Sequence, residues 1–306
     1  LWHPSGNRIL TIHRTPGETG WQWKGTFRML DGNGQPLPGH DPQMVPGLKT
    51  LSCAYSPDGC WLAWSASEHR PNGNHNEVVR GFLQDGRGET RSFLIHERCD
   101  FVNQLLFGHG GRFLFWTRAF RKEAIHAYDL QRSKPCAGLV LGWNITEQAV
   151  LHPSENQLAW TGGGCVHQIA FMESQDGFLA AKETHKESPV EDGAICLFDP
   201  TGRWLFVGGS GLAAIDARGQ RLPIPPLPCL HEPTQRIAHH PERRLLAVRT
   251  TNHVCVWEYQ EHERYAARVW EVRSNFSLLS FSPDGSKLLC ETNGGGGCLI
   301  ATNDLL

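Results

Sequence analysis

Long hydrophobic runs are missing from this chain. No apolar stretch approaches the roughly 18 residues that a bilayer-crossing helix requires, and the first residues carry no signal-peptide pattern. An excess of charge is missing as well. Against 29 Lys+Arg stand 31 Asp+Glu, so the molecule as a whole has no pull toward nucleic acid or an anionic membrane, and a charge-driven partner must meet a local patch. No CxxC pair occurs among the ten cysteines. They are scattered through apolar runs such as Leu51-Ser52-Cys53-Ala54-Tyr55, which reads as free, core-filling thiols in a reducing compartment and gives the expectation of a cytoplasmic protein. The triplets Asn144-Ile145-Thr146 and Asn275-Phe276-Ser277 pull weakly toward secretion. Catalytic signatures are missing too: there is no GxSxG elbow, HExxH, EF-hand loop, repeated sialidase-type Asp box or P-loop.

What the chain does contain is a repeat. Seven times a short apolar run ends in a turn and a second apolar run follows. The turns are His3-Pro4-Ser5-Gly6, Ser56-Pro57-Asp58-Gly59, Gly108-His109-Gly110-Gly111, His152-Pro153-Ser154-Glu155, Asp199-Pro200-Thr201-Gly202, His240-Pro241-Glu242-Arg243 and Ser282-Pro283-Asp284-Gly285. Equivalent positions 4, 57, 109, 153, 200, 241 and 283 are separated by 53, 52, 44, 47, 41 and 42 residues, a spacing that belongs to propeller blades. The second runs, such as Trp61-Leu62-Ala63-Trp64 and Trp204-Leu205-Phe206-Val207, are apolar on both faces, as a strand between two sheets must be. Third runs close on an acid (Asp31, Asp85, Asp129, Asp216, Glu258), placed to accept hydrogen bonds from turn amides. Fourth runs such as Gln35-Pro36-Leu37-Pro38 and Leu222-Pro223-Ile224-Pro225 tolerate proline, which belongs on an edge strand. The expected fold is all-β: a seven-bladed β-propeller with four antiparallel strands per blade, forming a single domain. The blades are read as 1–47, 48–98, 99–143, 144–187, 188–232, 233–272 and 273–306.

The Ser-Pro-Asp-Gly turns and Val256-Trp257-Glu258 resemble the WD-repeat propellers over nearly the whole chain. Gly39-His40 is the one pair similar to that family's Gly-His, and Val256-Trp257-Glu258 is the one close copy of its Trp-Asp ending. Tryptophan packing is therefore expected to replace much of the family's locking hydrogen-bond network. In this register the first blade lacks most of an inner strand and the last blade lacks its closing strand. The expectation is a segment of a longer polypeptide, with further domains attached; an unusual overlap or an open edge is the competing reading.

The recurring His3, His152 and His240 stand at equivalent places in different blades, so they read as turn residues in place of serine and not as a metal set. The runs Gly162-Gly163-Gly164, Gly208-Gly209 and Gly294 to Gly297 fall between second and third strands, where a tight hairpin demands positive φ. Blades one to three instead carry longer, polar hairpins: Thr15 to Gly20, Glu68 to Asn76 and Ala119 to Glu123. Along them lie Arg14, Trp21, His69, Arg70, Arg118, Arg121 and Lys122. They form either a solvated rim or a weakly basic ledge suited to an acidic or phosphorylated peptide. No catalytic residue, metal ligand or cofactor is assigned, and neither nucleic acid nor membrane is expected as a partner. The functional expectation is a non-catalytic protein-interaction, scaffold or sensor module within a larger protein. The alternatives are a metal-dependent hydrolase or lactonase acting at a channel mouth and a structural spacer.

Overall fold

The computed structural model describes all residues except 17–22, 43–48, 69–77, 97–101, 119–124, 137–148, 175–176, 225–231, 260–266, 272–275, 293–296 and 306. Among the described residues there is no α-helix, and the strands form seven antiparallel sheets. The contacts divide the chain into two compact units, 1–145 with 173–178, and 146–172 with 179–306.

The first unit holds three sheets. They are β1 (Arg8–Pro16) with β2 (Trp23–Asp31); β3 (Lys49–Tyr55), β4 (Trp61–Glu68), β5 (Val78–Asp85) and β6 (Thr90–His96); and β7 (Val102–Phe107), β8 (Phe113–Arg118), β9 (Ile125–Asp129) and β10 (Lys134–Pro135). The second unit holds the bulk of four. They are β11 (Val150–Leu151), β12 (Gln157–Gly162), β13 (Cys165–Ser174) and β14 (Gly177–Glu187); β15 (Ile195–Phe198), β16 (Trp204–Gly208) and β17 (Leu212–Asp216); β18 (Thr234–His239), β19 (Leu245–Thr250), β20 (His253–Glu258) and β21 (Ala267–Glu271); and β22 (Phe276–Phe281), β23 (Lys287–Thr292) and β24 (Gly297–Ala301). Neighbours in each sheet are neighbours in sequence, so each sheet is a meander.

The expected four strands appear in full in blades two, three, four and six. In blades one and five the proline-bearing fourth run shrinks to a single bridge, Leu30 with Pro36 and Ile215 with Arg221. Each bridge is made of two bonds, Asp31 N to Gln35 O with Leu37 N to Met29 O, and Asp216 N to Gln220 O with Leu222 N to Ala214 O. In blade one the ladder stops where the Met29 amide turns to Asp41 Oδ1 at 2.7 Å, and Pro38 and Pro223 have no N–H to offer on the outer side of the run. Blade one's inner run is likewise a single bridge, Trp2 with Ile9.

Second-run strands are buried as their sequence requires: every residue of β16 and β19 is buried. They pack sheet to sheet. Leu10, Phe27 and Met29 meet Leu62, Trp64 and Phe82, and Phe206, Leu212 and Ala214 meet Leu246, Val248 and Trp257. The indole nitrogens of Trp116, Trp160 and Trp257 are buried and find no hydrogen-bond partner among the described residues. Instead Trp64, Trp116 and Trp160 stack on their cross-strand partners Phe82, His126 and His167, with centroids 5.3, 5.5 and 5.2 Å apart and planes within 11°.

The acids closing the third runs do what their position predicts. Asp85 Oδ1 accepts from the amides of Arg87 and Glu89 at 2.9 Å each, and Asp216 Oδ1 from those of Arg218 and Gln220 at 2.8 and 2.7 Å. Buried Asp129 adds an ion pair with Arg112 at 2.8 Å. Glu258 departs from the pattern and pairs with Arg243 at 3.5 Å.

Two expectations need correction. Gly163 and Gly164 have the hairpin φ values of 58° and 75°, but Gly208 and Gly209 are absent from the positive-φ glycines. They are there for close approach. A Cβ on Gly209 would fall 2.4 Å from the carbonyl oxygen of Glu191, and one on Gly208 would fall 2.5 Å from the Thr234 methyl. The cysteines are not uniformly outside disulfides either: seven described ones form none, but Cys255 is disulfide-bonded.

Candidate functional site

Each of the seven turns closes with the same bond, in which the amide of its first residue donates across the turn to the start of the next strand. Examples are Ser56 N to Trp61 O at 2.9 Å, His152 N to Gln157 O at 2.8 Å and Ser282 N to Lys287 O at 2.8 Å. The side chains at that first position divide into two kinds. Ser56, Asp199 and Ser282 act locally, accepting from the amides of Trp61, Trp204 and Lys287 at 2.9 Å each. The histidines act on two turns at once. His152 Nδ1 accepts from the amides of Ser154 and Glu155 at 3.3 and 3.0 Å, which leaves Nε2–H to donate to Gly202 O of the following blade at 3.1 Å. His3 likewise caps Ser5 and reaches Gly59 O at 3.3 Å, and His240 caps Glu242 and Arg243 and reaches the carbonyl of Gly285.

Each ring also meets an aromatic residue edge-on: His3 with Tyr55, His152 with Phe198 and His240 with Phe281. Its imidazole occupies the space that a Cβ would fill on the facing glycine, at 2.7 Å for Gly59, 2.1 Å for Gly202 and 2.2 Å for Gly285. The turn role read from the sequence is thus correct, and each histidine has a second role as a clasp between blades. Burial lowers the pKa of His3 and His240, against the pull of the accepting carbonyl. Lower pKa suits the geometry, because a protonated ring has no acceptor left for the capping amides.

The fifth and sixth blades are tied differently. His239 Nε2 meets Tyr259 Oη at 2.5 Å, and that hydroxyl lies 3.5 Å from Asp199 Oδ2. Burial lowers the pKa of His239 to about 4.

A cavity of about 400 Å³ opens at the fourth-to-fifth clasp, inside the second unit. Phe198, Leu205 and Ile215 give it apolar walls, and Gln157, Gln168, Gln220, Glu155, Asp216, Arg203 and Arg218 give it polar ones. The Arg203 guanidinium lies over the Trp204 ring at 5.2 Å. Lys186 Nζ donates to Ala217 O at 2.6 Å, bracing the turn that carries Arg218. Side-chain amides and guanidinium groups suit carbonyl and carboxylate oxygens. Among the described residues no group of three or more His, Cys, Asp or Glu is placed to hold a metal ion.

Most of the basic ledge read from the sequence falls elsewhere. Trp21, His69, Arg70, Arg121 and Lys122 lie outside the described residues. Arg14 and Arg118 are placed as backbone only, in β1 opposite Gly25 and in β8 opposite Val102. Strand ends do preserve the asymmetry behind that reading: residues 17–22, 69–77 and 119–124 join the second and third strands of blades one to three, against 163–164, 209–211 and 251–252 in blades four to six. Sequence reasoning did not find the cavity, because its walls come from two blades and no motif links them.

No family model matches the chain. Nor does any curated protein match it. Solved structures do, 871 chains in all, so widely shared a fold that it carries little information about function. One is a chain in the Crystal Structure of Mitotic Checkpoint Complex, with a TM-score of 0.69 at 14% identity, covering 98% of this chain and 85% of that one. At that identity the likeness speaks for the fold alone. With the meandering sheets it makes the chain an all-β protein of the β-propeller fold, its seven sheets the blades.

Proposed function

We propose that the chain is a non-catalytic protein-interaction module, a scaffold or sensor that takes an acidic or phosphorylated segment of a partner protein. The observation that carries this reading is the cavity at the fourth-to-fifth clasp, where Arg203, Arg218 and three glutamines, with Glu155 and Asp216 among them, stand beside an apolar wall. An extended peptide offers what such a site recognises: backbone carbonyls for the amides and an anionic side chain for the guanidinium groups. A propeller chain within a multiprotein complex is compatible with the same use of the fold. The ledge of Arg14, Trp21, His69, Arg70, Arg118, Arg121 and Lys122 is the second proposed contact, on the long hairpins of blades one to three. Seven of the described cysteines form no disulfide, which supports a cytoplasmic setting, with Cys255 the exception.

The test is a fluorescence-anisotropy screen of phosphorylated, acidic and neutral peptides against three proteins: the wild type, an Arg203→Glu/Arg218→Glu variant and an Arg14→Glu/Arg70→Glu/Arg121→Glu/Lys122→Glu variant. Anionic peptides should bind the wild type, and binding should fall at least tenfold in the variant whose surface is used. Equal binding of all three peptide classes, or binding untouched by either set of charge reversals, would overturn the proposal.

A further inference from the structure

Aligning the blades on their second strands brings one position into focus. Trp64, Trp116 and Trp160 occupy it in blades two to four and stack on cross-strand partners, and in blade seven the equivalent pair is Cys290 opposite Cys298. The register from Lys287–Ala301 to Glu291–Gly297 runs without a bulge. Thr302 N donates to Ser286 O at 2.8 Å, which fixes the parity of the ladder: 286 with 302 is a hydrogen-bonded pair, and so, two alternations further on, is 290 with 298. Cα atoms of such a pair stand about 5.5 Å apart, inside the range of about 4.4–6.8 Å that a disulfide spans.

The two residues stand directly opposite each other on neighbouring strands, and the thiol of Cys298 is near enough to perturb that of Cys290. The two differ in access. Cys290 is 2% exposed, packed in a core with Leu279, Phe281 and Leu288, whereas Cys298 is exposed. Burial and the neighbouring sulfur raise the pKa of Cys290, while the charge of Arg249, itself fully buried on the adjoining blade, opposes them. An exposed thiol that meets reagents and a covered one directly opposite it make a nucleophile and a resolving group.

We propose that Cys298 and Cys290 are a reversible redox pair that closes to a cross-strand disulfide through exchange with a low-molecular-weight disulfide of the glutathione type. The Cys298 thiolate attacks one sulfur of the small disulfide, forming a mixed disulfide and releasing one thiolate. Cys290 then loses its proton, attacks the Cys298 sulfur and expels the second thiolate. Two protein thiols are oxidised by two electrons, one small disulfide is reduced to two thiols, and those thiols take up the two protons. Closure ties β23 to β24 beside the core, and the exposed sulfur lets a reductant reopen the bond.

The experiment treats the reduced, full chain with glutathione disulfide at neutral pH, alkylates it and digests it with trypsin. Both cysteines fall in the fragment that begins at Leu288, because no Lys or Arg follows Lys287. The expected wild-type product is that fragment lighter by two hydrogens, protected from alkylation and restored by reductant. Cys290→Ser should instead hold a mixed disulfide on Cys298, and Cys298→Ser should leave Cys290 a thiol. A mixed disulfide that persists in the wild type, or alkylation of both sulfurs after oxidation, would overturn the proposal. The wild-type fragment decides the matter even if a variant fails to fold, and Cys255 reports separately from another fragment.

Discussion

The turns of blades three and five carry glycine at the same fourth position, with nearly the same backbone, φ 70° at Gly111 and 75° at Gly202. Their surroundings differ. A Cβ on Gly111 would have nothing within 4 Å, whereas one on Gly202 would lie inside the His152 ring. The reason is upstream: the blade before Gly202 opens its turn with histidine, and the blade before Gly111 opens it with serine. Glycine in this repeat thus answers two demands, a left-handed turn in every case and room for a neighbour's imidazole in three. The apparent degeneracy of the turns is partly complementarity between successive blades.

The largest expected effect exploits that contrast. Gly202→Ala or Gly285→Ala should lose about 3 kcal/mol, the left-handed backbone and the displaced ring together, whereas Gly111→Ala should lose about 1 kcal/mol, for the backbone alone. Denaturant unfolding checks this, and equal losses at Gly111 and Gly202 would break the comparison. Adding His152→Ala to Gly202→Ala should recover part of the loss, a non-additivity that only touching groups produce.

Acid separates the two kinds of turn next. The folded chain holds His3, His239 and His240 below their ordinary 6.5, with His239 at about 4. The unfolded chain therefore takes up these protons first. Their contribution is complete above pH 6.5 and is lost as the pH falls from there toward 4, by about 2 kcal/mol between pH 7 and 5 from His239 alone. The carboxyls of Asp58 and Asp284, in receiving turns, also have lowered pKa values, but theirs is stability lost only as the pH drops through and below 3.8. Unfolding midpoints across pH 2–8 for the wild type and for a His3→Gln/His240→Gln/His239→Gln variant should differ in slope between pH 6.5 and 4, where only the wild type loses the histidine contribution, and run parallel below 3.8.

His240→Ala alone at pH 7.5 should cost about 1–2 kcal/mol, for the lost inter-blade bond and the capping amides left without an acceptor. The smallest effect is a control. Asp31→Ala in a giving blade and Asp85→Ala in a receiving one should each cost about 1 kcal/mol, because both carboxylates cap their own turn in the same way. Unequal losses would mean that the two kinds of blade differ in more than the clasp.

These contrasts mark how far the sequence could be read. The turns, the buried second strands, the capping acids and the proline-limited edges are local. A residue's own neighbours dictate them, and the structure has them where the repeat puts them. His152 marks the limit, because Pro153 and the turn amides explain its presence while its Nε2 is aimed at a carbonyl fifty residues on. Gly209 is legible as glycine but not for its reason, which is the backbone of Glu191 and Asp192 passing close by. The cavity between blades four and five was out of reach for the same cause: Arg203 and Gln168 become neighbours only once two sheets face each other.

Pro38 and Pro223 bear on a different matter. A protein built almost wholly from strands presents at each outer edge a row of amides and carbonyls to which any passing strand can add, the first step toward fibrils. In blades one and five the fourth run pairs through a single bridge, and the residue after its last inward-facing amide, whose own amide would face outward, is a proline with no hydrogen to give. Each of these edges is thereby closed to templating, and the proline that weakens the blade protects the solution in which it folds.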